Sequence, residues 1–128
     1  MSTRCNVIIK DRCQELVFYR HSDGYPKVVL PSLEKFLGLV KEGRIRDNVE
    51  QASGWLIRLG ATEYKVPENP TLNSDYQDWK VGAYEPSVGI HGDVDYIYVV
   101  DLHEKTIQYE GKGSSFVYLG QYSDHDEN

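Results

Sequence analysis

The sequence predicts an α+β fold: an antiparallel sheet in the order β-β-α-α-β-β-β-β, with two helices packed on one face. Three features point there. Two short β-prone runs flank a polar turn near the start, two stretches of helical apolar spacing follow, and alternating tyrosine-rich runs fill the second half. At 128 residues, 40% hydrophobic and 27% charged, the chain has the length and composition of a single domain spanning 1–128 with one core.

Arg4 to Lys10 alternates, with Cys5, Val7 and Ile9 on one face and Asn6 and Ile8 on the other. The turn Asp11-Arg12-Cys13-Gln14 then leads into Leu16 to Arg20, completing a hairpin. Pro31 suits the first turn of a helix, where a missing N–H costs nothing. Leu33, Phe36, Leu37 and Val40 keep helical spacing and Gly43 offers a left-handed stop, so the helix is expected over Pro31 to Glu42. Asp47 with Glu50 reads as a capping box for a second helix closed by Gly60, with Val49, Ala52, Leu56 and Leu59 as its apolar stripe. Gly54, unfavourable inside a helix, is expected to admit a close neighbour.

A loop is expected from Lys65 to Asp78, then a strand from Trp79 to Tyr84 ended by Glu85-Pro86-Ser87-Val88-Gly89. Val94 to Val100 reads as a central strand because both of its faces are substantially apolar. A turn around His103 leads to a strand from Thr106 to Glu110. After a hairpin loop at 111–115, a last strand is expected from Phe116 to Tyr122, and the acidic tail 123–128 is expected to be disordered.

The net charge of −6 argues against bulk nucleic-acid binding, which calls for a positive face. No apolar run approaches the length of a membrane span, and the first residues lack the apolar core of a signal peptide, so a cytoplasmic protein without membrane contact is expected. Cys5 and Cys13 could face each other across the hairpin. Two buried thiols are preferred to a disulfide in such a setting, and two cysteines are too few for a Cys-based zinc site. Ten tyrosines stand against three phenylalanines and two tryptophans, which suits either strands with a wet face or a tyrosine-lined binding surface. No cofactor motif is present: 111–115 lacks phosphate-loop spacing, and no nucleophile elbow, His-Glu-x-x-His helix or dinucleotide fingerprint occurs.

His-x-Asp occurs twice, as His21-Ser22-Asp23 and His91-Gly92-Asp93, each in a turn-rich stretch beside a strand. Brought together, His21, Asp23, His91 and Asp93 could bind a divalent metal, or do general acid–base work on a phosphoester or amide, with Arg20 steadying developing negative charge. Brought no closer, the same residues are ordinary turn formers. A second candidate set, Lys41, Arg44 and Arg46 with Asn48, Gln51 and Trp55, surrounds the start of the second helix. Helix N–H groups and an indole there could hold a small anionic, nucleotide-like ligand, although Asp47 and Glu50 add opposing charge.

The run Tyr19-Arg20-His21-Ser22-Asp23-Gly24-Tyr25-Pro26 resembles a signature shared by a family of phage, prophage and bacterial proteins, Tyr-Arg-His-x-Asp-Gly-Tyr-Pro. The likeness extends to Ile45-Arg46-Asp47-Asn48 with its helix, and to Ile90-His91-Gly92-Asp93 with its tyrosine-rich strand. It implies a mobile-element lineage and places both His-x-Asp segments in one module, but it implies no reaction. Two readings follow. The first is a small non-enzymatic binding protein that engages a host protein or a small anionic ligand, with Arg20, His21, Asp23, Tyr25 and His91 among its contacts. The alternative is a small phosphoester hydrolase built on the two His-x-Asp turns. A homo-oligomer paired through strand edges is a third expectation.

Overall fold

The computed structural model describes residues 3–63 and 83–111. The elements run β1 (Cys5–Lys10), β2 (Glu15–Arg20), α1 (Pro26–Lys41), α2 (Val49–Glu63), β3 (Glu85–Ser87), β4 (Tyr96–Asp101) and β5 (Thr106–Gly111). The expected loop at 65–78, residues 79–82 of the expected strand at 79–84, the hairpin loop beyond Gly111, the strand at 116–122 and the tail lie outside the described residues.

The architecture is α+β as expected, with one difference in the sheet. Its order is β3-β2-β1-β4-β5, and while the other neighbours are antiparallel, β1 and β4 run parallel at its centre. Between β1 and its parallel neighbour β4 the chain forms β2, both helices and β3, which pairs with the outer side of β2. Parallel neighbours need such a long crossover, whereas the β1–β2 and β4–β5 pairs need only tight turns. β3 forms where the sequence suggested a break. Pro86 is tolerated there because β3 is an edge strand among those described.

Both helices cover the same face. Cys5, Val7, Ile9, Phe18, Tyr98, Val100 and Ile107 meet Val29, Leu33, Phe36 and Leu37 of α1 and Val49, Ala52 and Leu56 of α2 in one buried cluster. The tyrosines on this face are core residues. Tyr98 is wholly buried and donates its hydroxyl to the Gly24 carbonyl at 2.7 Å, with Tyr96 and Tyr109 packed beside it. Burial pushes the Tyr98 and Tyr84 phenols far above their ordinary values. Neither is part of a wet tyrosine surface.

Helix α1 starts five residues before the expected point, with Pro26 in its first turn and Pro31 inside it. An internal proline costs about 3 kcal/mol. The earlier start buries Val29 and Leu30, each worth about 1.5–3 kcal/mol, so the longer helix wins. At its far end Gly43, at φ +79°, donates to Val40 and the Arg44 N–H to Leu39 at 2.9 Å, closing the helix as a Schellman turn.

The start of α2 differs from the expected capping box. Asn48 precedes the helix and accepts the Ala52 N–H, while the Val49 N–H donates to Asp11 from the β1–β2 turn at 2.8 Å. Asp47 instead meets Lys105 at 3.4 Å. Neither glycine of α2 plays its expected part. Gly54 has nothing near its missing side chain, whereas a Cβ on Gly60 would lie 2.8 Å from the Tyr84 ring. Gly60 is therefore the close-approach position, and α2 continues past it to Glu63.

Candidate functional site

The face opposite the helices carries Asn6 of β1, Tyr19 of β2, Glu85 of β3 and Ile97 of β4 at one level, since the register pairs Asn6 with both Tyr19 and Ile97, and Tyr19 with Glu85. The two His-x-Asp turns arrive here. The His91 ring stacks on Tyr19 at 3.8 Å between centroids, and the His21 ring meets the same phenol edge-on at 4.6 Å. The two imidazoles thus share one aromatic neighbour.

Charged groups border this stack. His21 Nε2 lies 3.0 Å from Glu85 Oε2. The Tyr19 hydroxyl donates to Asp93 at 3.2 Å, and Arg4 Nε approaches the same carboxylate at 3.7 Å. Burial first, and the Asp93 charge next, raise the Tyr19 phenol above its ordinary value. Asn6, wholly buried, accepts the His91 N–H at 2.9 Å and donates to the Phe18 carbonyl at 2.9 Å. One buried amide therefore fixes the loop that delivers His91 against β2.

Gly24 explains why the first turn passes so close. Its N–H donates to the Thr3 carbonyl at 2.9 Å, and a Cβ there would lie 3.0 Å from both Arg4 and Cys5. Asp23 holds a left-handed φ of +57° with its side chain exposed, so what it visibly supplies is the turn itself. Tyr25 sits at the start of α1 and is partly exposed.

Arg20 does not join its sequence neighbours. Alternation along β2 sends it to the helix side, where it is buried, reaches Glu63 at 3.0 Å and lies over the Tyr84 ring. Glu63 and Tyr84 both meet the Ser32 hydroxyl, at 2.8 and 2.7 Å. This internal network, rather than charge stabilisation beside the histidines, is the structural place of Arg20.

The second candidate set lies at the opposite end of β1. Arg44 pairs with Glu42 at 3.2 Å, Arg46 and Gln51 are exposed, and Trp55 packs under Arg58 at 5.9 Å. Asn48 borders a groove of about 540 Å³ shared with Arg12, Cys13 and His103. The first helical N–H already has Asp11 as its acceptor, a carboxylate standing at the helix start where the anion was expected. Both cysteines are free, but only Cys5 is buried; Cys13 is exposed in the turn, contrary to the expected pair of buried thiols.

Sequence reasoning missed Tyr19 as the shared platform, although it opens the eight-residue signature. It also missed Asn6, Arg4 and Glu85. A buried asparagine in an otherwise apolar strand was the available signal. Two exposed apolar residues, Val88 and Ile90, border the site on the β3–β4 loop. Among the described residues no group of three or more His, Cys, Asp or Glu is arranged to hold a metal ion, and no helix is long and apolar enough to cross a membrane. Comparison with protein-family models, with curated proteins and with solved structures finds no match for this chain.

Proposed function

We propose that this chain is a small non-enzymatic binding protein, a mobile-element accessory that docks through the β3–β4 loop and the His21–Tyr19–His91 stack onto the basic face of a host protein. The observation that carries this reading is the loop itself. Val88 is fully exposed and Ile90 is 55% exposed, yet the backbone around them is braced. Glu85 to Ser87 pair with β2, the Ser87 hydroxyl donates to the Gly89 carbonyl, and Asn6 holds the His91 N–H. Presenting apolar side chains on a pre-ordered loop lowers the entropy cost of association. Glu85, Asp93, Asp95 and Glu110 stand around the same end of the sheet with Arg4 among them. That balance, with a net charge of −6, favours a basic protein surface over a small anion.

A photo-crosslinking residue at position 88 identifies the partner, and calorimetry with the purified partner then tests the surface. Val88→Asp and Ile90→Asp are each expected to weaken binding at least tenfold, as apolar anchors at an interface centre do. Unchanged affinity in both variants would remove this reading.

A hydrolase is kept as a second reading by one observation, the convergence of both imidazoles on Tyr19. Arg20 on the far side of the sheet weighs against it. Turnover of bis(p-nitrophenyl) phosphate that disappears in both His21→Ala and His91→Ala would favour it; no turnover above the buffer rate would dismiss it for phosphodiesters of this kind.

A further inference from the structure

A recess of about 280 Å³ opens beside His91, lined by His91, Val94, Asp95, Ile97 and Glu110 with glycine backbone at 92 and 111. We infer that it receives one basic side chain of the partner, an arginine best of all; this rests on the protein-docking reading above. Size selects the class of guest. Small-molecule and cofactor sites usually span about 300–1,000 Å³, so a recess just below that range suits a single side chain better than a nucleotide.

Chemistry selects the charge. Asp95 lies just before β4 and Glu110 near the end of the neighbouring β5, and among the described residues neither has a cationic side chain paired with it. One Asp95 oxygen accepts the Arg4 backbone N–H at 3.3 Å, which fixes that carboxylate in place. Ile97 contributes apolar surface for a methylene stem, and the exposed His91 ring, held by its stack on Tyr19, offers a plane for a guanidinium. A planar fork of donors between two carboxylates is the arrangement arginine fills better than lysine. The recess adjoins the Val88–Ile90 loop through His91, so apolar anchors and a basic plug would engage on one face.

The test is an amide-detected NMR titration of the intact chain with Nα-acetyl-arginine methylamide, run beside the neutral isostere Nα-acetyl-citrulline methylamide. The expected result is saturable, millimolar-range shifts of the Gly92, Asp95, Ile97 and Gly111 amides with the arginine probe and no saturable shift there with citrulline. Glu110→Gln, and separately Asp95→Asn, should each weaken the arginine response about threefold, the scale of one partly exposed ion pair. Equal responses to the two probes, shifts scattered over the surface, or none at the arginine probe's solubility limit would overturn the inference. The outcomes separate it from the docking reading. A silent recess with Val88→Asp still abolishing partner binding refutes only the arginine site. A responsive recess with Val88→Asp binding normally refutes only the loop.

Discussion

Helix α2 contains two glycines in opposite surroundings, and the same substitution at each should give opposite results. Replacing a mid-helix glycine by alanine gains about 0.5–1 kcal/mol from backbone entropy alone. At Gly54 nothing lies within 4 Å of the new methyl, so Gly54→Ala should stabilise the chain by about that amount. At Gly60 the methyl would lie 2.8 Å from Tyr84 Cδ2, 3.1 Å from Ala83 Cβ and 3.3 Å from the Tyr84 backbone nitrogen. Carbon pairs prefer about 3.5–4.0 Å, so the ring would have to retreat by more than half an ångström. It is poorly placed to do so. Tyr84 is buried, its hydroxyl is tied to Ser32 at 2.7 Å, and the Arg20 guanidinium covers its face. Overpacking of this kind costs about 1–3 kcal/mol. Gly60→Ala should therefore be neutral to destabilising by about 2 kcal/mol once the propensity gain is subtracted. The difference between the two variants, about 1–3 kcal/mol, isolates the steric part because the propensity part is common to both. Urea unfolding followed by circular dichroism measures it directly. A Gly60→Ala variant as stable as Gly54→Ala would show that α2 and Tyr84 do not meet as described.

Three other perturbations test other parts of the molecule. The Val49 N–H, and then the Cys13 N–H, hold the Asp11 carboxyl below its ordinary value, so its contribution is present above the ordinary carboxylate range and lost as pH falls through the lowered value. The stability gap between the native chain and Asp11→Asn should accordingly be full at neutral pH and close in acid; a gap that persists unchanged at low pH contradicts this. Asn6→Ala leaves the His91 N–H and the Phe18 carbonyl without their buried partner and should cost about 2–3 kcal/mol, with faster hydrogen exchange at the His91 amide as the specific readout. Burial pushes the Cys5 thiol up to about 12, while Cys13 is exposed, so a maleimide should label one cysteine in the folded chain and the second only in denaturant. Labelling of Cys5 at the Cys13 rate under native conditions would contradict its burial.

The sequence by itself determined what depends on neighbours along the chain. Alternation at Cys5, Val7 and Ile9, the turn at Asp11 to Gln14, the helical spacing of Leu33, Phe36, Leu37 and Val40 and the left-handed stop at Gly43 all appear in the structure where local chemistry placed them. The repeated His-x-Asp turns were also visible as a pattern. Their meeting on Tyr19 was not, because it depends on β1 pairing in parallel with β4 some 90 residues away, and the period of two in a strand is the same for either direction. Tertiary structure likewise decided which glycine of α2 meets a neighbour, which carboxylate serves the start of that helix, and why Arg20 parts from Tyr19 and His21. In each case an element distant in sequence supplies the partner: Tyr84 for Gly60, Asp11 for Val49, Glu63 for Arg20. Local pattern fixes which face a residue takes, and only the packed fold fixes what waits on that face.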